Sequence, residues 1–383
     1  MNKIYSIITI ITVVNLFFVF GLLFLFLIVP NRPLLHNYRT ARRVMAFAYM
    51  FFACIEMLKG IYCPSLASSY DIKVIQTTTL AISFSQAFLF TYSLIVLLNI
   101  RFSRRQRIIG ELIPVVICVA LIFVVHFACP AAWFRLPFYV FGLLYVIQLV
   151  HYTRLFRKNC RLARLRMDNY YSGSEFERLR WIVLSFYAAL VIGVMALLTA
   201  LSESLFISLI FSIIFTGFYT YFAIRFINYP LLFQQIIEQP MKDVLREEPV
   251  QPKNHIKTGK EAFALLEKRI ELWIANKGFI EQGITIDVLS AKLITNQKYL
   301  STYINTYKKQ TFREWINELR IEEAKILLLQ YPEMTLKDIS SRVGFSDKSH
   351  FLHQFKKLTD ESPTNWKNIV HAQSFPILTP NQP

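Results

Sequence analysis

Seven stretches of this chain are long and apolar enough to cross a lipid bilayer, and they restrict residues 1–226 to a helical membrane bundle. They run roughly over 4–29, 44–62, 77–100, 108–127, 133–151, 181–201 and 205–223. Each approaches or exceeds the ~20 residues that a helix needs to span the hydrocarbon core. Hydrophobic residues make up 54% of the chain and charged residues only 17%. An ordinary soluble domain carries about 25% charged residues, so the apolar excess belongs against lipid. The first stretch is too long for a signal peptide. It has little positive charge before it and no small-residue cleavage site after it, so it reads as a spanning helix.

The net charge of +17 suggests nucleic-acid affinity, but its distribution points elsewhere. Residues 1–226 hold 21 Lys and Arg against 7 Asp and Glu, so most of the excess lies in the apolar half. There it alternates from loop to loop. Arg32, Arg39, Arg42 and Arg43 follow the first stretch, and Arg101, Arg104, Arg105 and Arg107 follow the third. Arg154, Arg157, Lys158, Arg161, Arg164, Arg166, Arg178 and Arg180 follow the fifth. The other loops have only Lys73 and Arg135 near them, with Asp71 and Glu203. The positive-inside rule then predicts a periplasmic amino terminus and a cytoplasmic carboxyl terminus in a bacterial inner membrane. The basic segment 152–180 reads as a cytoplasmic loop lying on anionic headgroups, with DNA as the other surface it suits.

Few ionisable groups interrupt the spans. Glu56 and Lys59 are three residues apart on one face of the second, and an ionisable pair in a membrane helix marks a candidate signal site. The plainer reading is a mutually satisfied pair with Lys59 snorkelling outward. His126 reads as a hydrogen-bonded interface residue or as a ligand or pH-sensing group. Asn15, Gln86 and Gln148 read as inter-helix hydrogen-bonding groups. Of the five cysteines, Cys63 and Cys129 fall at outer ends of spans, where an oxidising periplasm permits a disulfide; unpaired thiols are the alternative. No C-x-x-C is present, so neither zinc nor thioredoxin-like chemistry is indicated, and no metal or cofactor is expected.

Pro230, Pro240, Pro249 and Pro252 punctuate a polar connector, 227–261. Beyond it the pattern changes. Leu336, Ile339 and Val343 recur at helical spacing, Gly344 interrupts them, Ser346-Asp347 offers an N-cap, and a second helix follows with Phe351, Phe355 and Leu358 inward. That is a helix-turn-helix pattern. It occurs twice. Leu289-Ser290-x-x-Leu293 mirrors Ile339-Ser340-x-x-Val343, and Asn296 caps a helix with Leu300, Tyr303, Ile304 and Tyr307 inward. Between the copies, 312–329 reads as one amphipathic helix, and Phe263, Leu266, Ile270 and Trp273 mark an opening helix.

On these residues, together with the Ser362-Pro363-x-x-Trp366-Lys367 close, 263–367 resembles the DNA-binding domain of AraC/XylS-type transcription regulators. The family's usual glycines are replaced by Lys309 and Asp360. Together with the apolar stretches and their charge pattern, the resemblance leads to the expectation of an all-α chain: a seven-helix transmembrane domain (1–226), the connector (227–261), a cytoplasmic double helix-turn-helix domain (262–372) and a tail (373–383). It implies base contacts from Lys298, Ser301, Thr302 and Asn305 in the first unit and from Lys348, Ser349 and His353 in the second. Lys308, Lys356 and Lys357 are the expected phosphate contacts. Thr302 and His353 stand where the family often has Arg. The expected partners are promoter DNA, the lipid membrane, a second copy in a homodimer, and a signal ligand or protein.

No G-x-x-x-x-G-K, H-E-x-x-H or G-x-S-x-G motif occurs, so no catalysis is expected. A transporter or intramembrane enzyme with a regulatory DNA-binding tail is the alternative. Proteolytic release of the tail is a further variant of the regulator.

Overall fold

The computed structural model describes residues 18–29, 36–62, 69–99, 102, 105–130, 133, 135–173, 179–202, 204–228 and 256–374. Among these residues the regular elements are all helices, and pairing outside them is one isolated antiparallel bridge between Tyr171 and Thr285. The chain divides into two compact units. The first comprises Met1–Ala163 and Leu179–Val244, the second Arg164–Arg178 and Leu245–Pro383.

The first unit holds α1 (Val19–Phe26), α2 (His36–Tyr62), α3 (Ser69–Leu98), α4 (Arg105–Ala128), most of α5 (Arg135–Asp168), α6 (Arg180–Leu201) and α7 (Leu205–Ile227). Five helices among the described residues are long and apolar enough to cross a membrane: Lys73–Leu98, Ile108–Ala128, Arg135–Asp168, Arg180–Leu201 and Phe206–Ile227. The first predicted stretch lies largely outside the described residues, and the second falls on α2. Asn15 and Cys63 also lie outside them, so the Cys63–Cys129 pairing falls there too; Lys59 lies on α2, its side chain outside them.

α3 packs against α2, α4 and α6 and is almost fully enclosed. Its polar residues survive there by turning back on their own helix. Thr77, Thr78, Ser83 and Ser85 each donate to the carbonyl four residues earlier, at 2.7–3.0 Å. Other polar groups join neighbours. Gln148 donates to the Phe84 carbonyl at 3.1 Å and Asn99 to Asn159 at 2.8 Å. His126 meets the Thr77 hydroxyl at 2.9 Å, while Lys73 caps the end of α4 through the His126 and Cys129 carbonyls. That favours the hydrogen-bonded reading of His126. Aromatic rings fill the interior, with Tyr49, Phe90 and Phe222 around Tyr219 or its neighbours. α4, by contrast, leaves Ile113, Val116, Ile117, Val124 and Phe127 exposed along its length.

The segment 152–180 departs from expectation. It is helical as far as Asp168, as the continuation of α5, and its later residues belong to the second unit. Its good helix formers (Leu155, Arg157, Lys158, Arg161, Leu162, Ala163, Leu165, Arg166, Met167) and the absence of Gly and Pro from 152–168 extend the apolar span without a break.

The second unit holds α8 (Ile256–Ala275), a 3₁₀ turn (Gly278–Ile280), α9 (Ile286–Lys292), α10 (Gln297–Tyr303), α11 (Phe312–Gln330), α12 (Leu336–Arg342), α13 (Lys348–Thr359) and α14 (Pro363–Ser374). α8 begins inside what the sequence reads as connector. Two apolar cores are strung along α11. Its first half gives Phe312, Trp315 and Ile316 to a core with Leu266, Ile270, Leu289, Leu293, Leu300 and Tyr303. Its second half gives Ile321, Ala324, Leu327 and Leu328 to a core with Ile339, Val343, Phe345, Phe351 and Phe355. A helix of 19 residues is roughly 28 Å long, so one rigid rod carries both.

Candidate nucleic-acid interface

Both helix-turn-helix units are built by the same local chemistry. Each helix start is capped by a side chain that accepts an N–H the helix itself leaves unpaired. Thr285 serves α9 and Asn296 serves α10; Thr335 serves α12 and Asp347 serves α13, the last accepting from the His350 N–H at 2.7 Å. Thr311 and Glu314 bond reciprocally at the start of α11. The turns match as well. After α9, Thr295 N–H donates to the Ser290 carbonyl; after α12, Phe345 N–H donates to that of Ser340, at 2.9 and 3.0 Å. Such a closing bond requires a left-handed residue. Gly344 takes that role in the second copy at φ 92°, and Ile294 in the first at φ 53°. A β-carbon on Gly344 would run into the Ile280 carbonyl. Ser290 and Ser340 are buried where the helices of each pair cross, as small residues there must be.

Lys309 and Asp360, which replace the family's glycines, both adopt positive φ, at 54° and 60°. The backbone turn is therefore kept without the glycine. Two inward assignments are corrected. Tyr307 is 57% and Leu358 44% exposed. Each sits in the last turn of its helix, at the rim of the core it was expected to join; Tyr307 stacks on Tyr303 and meets Phe263 at a tilt.

The expected DNA-contacting residues all lie on α10, its π-helical extension Ile304–Lys308, or α13. Lys298, Thr302, Asn305 and Lys308 are exposed, and Ser301 is half-buried. Thr302 donates to the Lys298 carbonyl at 2.8 Å and Asn305 to the Ser301 hydroxyl at 3.2 Å. Lys348, Ser349, His353, Lys356 and Lys357 are exposed on α13. Lys357 approaches Glu314 at 3.9 Å. The exposed face of α13 thus presents polar side chains at its start and lysines in its last turn, while His350, Phe351, Gln354 and Phe355 face inward.

Three residues without a role in the sequence reading hold these helices in place. Arg320 is 2% exposed and lies on the apolar stripe of α11. Its Nε donates to the Phe279 carbonyl at 2.9 Å and its Nη2 to the Glu281 carbonyl at 2.7 Å, and its guanidinium lies over the Phe345 ring. Burial pushes its pKa down to about 10, which leaves it charged at neutral pH. Arg313 donates to His350 Nε2 at 3.0 Å. His350 must be unprotonated to accept; burial first, then the Arg313 charge, holds its pKa down to about 4. The sequence signal for Arg320 was present: an arginine where the Ile316–Ala324 spacing demands an aliphatic residue. For Arg313 and His350 there was none.

Residues 289–369 match the family model of a helix-turn-helix domain. The chain carries an AraC-type helix-turn-helix domain there and is homologous to HTH-type transcriptional regulators. It is similar to the "Uncharacterized HTH-type transcriptional regulator YijO" of Escherichia coli (strain K12), 29% identical over 91 residues, or 24% of this chain and 32% of that protein. It is similar to the "Probable transcription factor PqrA" of Proteus vulgaris, 27% identical over 95 residues, or 25% of this chain and 77% of that protein. With the "Msm operon regulatory protein" of Streptococcus mutans it shares 25% identity over 88 residues, 23% of this chain and 31% of that protein. The chain spans about a third of the length of the first of these relatives. No solved structure matches it.

Proposed function

We propose that this chain is a sequence-specific DNA-binding transcriptional regulator anchored in a bacterial inner membrane by seven helices, and that it couples a signal received in the membrane or periplasm to promoter binding. Residues 1–226 form the sensor and anchor, 227–261 the connector and 262–372 the cytoplasmic reader. The observation that carries the proposal is the pairing of α10 and α13, two capped helices with exposed polar and basic faces mounted on one rod. A recognition helix enters the major groove with such a face, and two of them reach successive turns when ~34 Å apart. Lys298, Ser301, Thr302 and Asn305 of the first and Lys348, Ser349 and His353 of the second read bases; Lys308, Lys356 and Lys357 hold phosphates.

Support for the membrane part comes from the five long apolar helices and from the apolar side chains that α4 leaves uncovered, for which acyl chains are the natural neighbour. The alternating arginine loops support a cytoplasmic carboxyl terminus. A homodimer reading paired sites completes the proposal.

The test is a gel-shift titration of the purified protein in nanodiscs against genomic fragments. With three phosphate-binding lysines, log K should fall against log salt with a slope of about −3 or steeper. Absence of a shift on any fragment at low salt refutes DNA binding. A reporter phosphatase joined after Pro383 that becomes active in the periplasm refutes the orientation.

A further inference from the structure

The second unit contains residues that the DNA-reading pattern does not need. Residues 164–173, the end of α5 and what directly follows it, lie more than a hundred residues before α9, yet they are built into the helix-turn-helix unit. Tyr170 is 4% exposed and is part of the first core, and Tyr171 packs against it. The backbone is matched too: Ile286 N–H donates to the Tyr170 carbonyl at 3.0 Å and Ser172 N–H to the Ile284 carbonyl at 3.3 Å. The first of these satisfies an N–H that the start of α9 cannot pair internally. The Tyr170 hydroxyl donates to Asp287 Oδ2 at 3.1 Å, also in the first turn of α9. One residue thus seats its ring, its carbonyl and its hydroxyl on the first helix-turn-helix unit.

Asp168 reaches the second. Its Oδ1 accepts from Arg313 Nη1 at 3.0 Å, and both side chains are at least four-fifths buried. Through its other nitrogen Arg313 donates to His350, three residues into α13. The relay Asp168–Arg313–His350 therefore runs from the last residue of α5 to the second proposed recognition helix. Ring, backbone and ion-pair contacts made in register do not arise from a loop resting on headgroups.

We propose that residues 168–172 are a docking strut that fixes the pose of both helix-turn-helix units at once, with Arg313 as the positioning residue that extends its reach to α13. The strut is covalently continuous with α5, which gives the DNA-binding unit a chain link to the apolar helices separate from the connector. Docked, the strut holds α10 and α13 in one relative pose; undocked, it leaves α13 without the carboxylate that orients Arg313. The consequence for DNA rests on the function proposed above; the docking itself does not.

The experiment is amide hydrogen exchange on the full-length protein in nanodiscs, without DNA. Asp168→Ala should speed exchange at His350–Phe355 amides roughly five- to tenfold, and Asp168→Glu should restore most of the protection. Tyr170→Ala should speed exchange at the Ile286–Leu289 amides by a similar factor or more. Should Tyr170→Ala unfold the unit, Tyr170→Phe, which removes only the bond to Asp287, is read instead and should raise exchange at α9 about threefold. Changes under twofold at both α9 and α13, or no rescue by Asp168→Glu, overturn the strut. DNA affinity of the same samples is read separately. An Asp168→Ala protein that exchanges faster and binds its selected duplex several-fold more weakly supports the strut and the reader together. Failure of the unsubstituted protein to bind DNA refutes the reader while leaving the exchange result standing.

Discussion

Replacing Arg320 by Met should uncouple the two helix-turn-helix units. Methionine keeps the unbranched stem that lies on the apolar stripe of α11 and removes the guanidinium. What is lost is specific: the donors to the Phe279 and Glu281 carbonyls and the cation over Phe345. A charged donor on a neutral acceptor is worth about 1.5–3 kcal/mol net, and a stranded acceptor adds its own desolvation cost. The two bonds together point to a loss of about 3–5 kcal/mol. Domain stabilities lie near 5–15 kcal/mol, so the change is a large fraction of the whole. Because the carbonyls belong to the first unit and Phe345 to the second, both cores should loosen together. Hydrogen exchange of the full-length protein reports this directly. At about 1.4 kcal/mol per tenfold, the Leu289, Ile339 and Val343 amides should exchange at least a hundredfold faster. Arg320→Lys, with one compact charge in place of a fork, should fall between. Acceleration of less than tenfold in both cores would show that the buried arginine is neutral, its burial cost having cancelled its bonds, and the reasoning fails.

Three other expectations follow from particular residues. Lys348→Ala should change which duplexes are preferred, by about 1–3 kcal/mol at one base position, whereas Lys356→Ala should weaken every duplex alike and lower the salt slope by about one; equal losses on selected and random DNA contradict the division. Ile294→Gly should stabilise the first unit by about 0.5–1 kcal/mol, since a β-branched residue is held at φ 53° with 77% of its surface exposed; slower exchange in α9 and α10 checks it, and any loss of protection refutes it. His350 gives a pH dependence. Its folded pKa of about 4 lies below the ordinary value of 6.5, so the unfolded chain takes up a proton first as pH falls. The second unit should lose up to about 3 kcal/mol between pH 6.5 and 4, on top of what the carboxylates lose. Comparing the pH profile of α13 exchange with that of His350→Gln isolates the contribution, and identical profiles would refute it.

Much of the reader was legible because the relevant physics is local. Asn296 and Asp347 cap helices that begin one residue later, Gly344 marks a turn that needs φ > 0, and the 312–330 stripe is a helix by its own period. Lys309 and Asp360 hold left-handed turns where the pattern had lost its glycines, so the turn there does not depend on a glycine. The misses lie where local period outruns the core. Leu358 keeps helical spacing into the exposed last turn of its helix, Tyr307 reaches only the rim of its core through Tyr303 and Phe263, and 152–168 stays helical past the apolar span because nothing in it stops a helix.

The amino-acid sequence alone made legible long apolar helices in one half and two helix-turn-helix units in the other, since hydrophobic period and capping act over a few residues. Tertiary structure alone decided that Tyr170 and Asp168 belong with α9 and α11, across separations of 117 and 145 residues, and that Arg313 joins Asp168 to His350. A buried ion pair or an N–H met by a distant carbonyl leaves no periodic trace along the chain. Its partner is selected only when the cores close and the groups left without water must find one another.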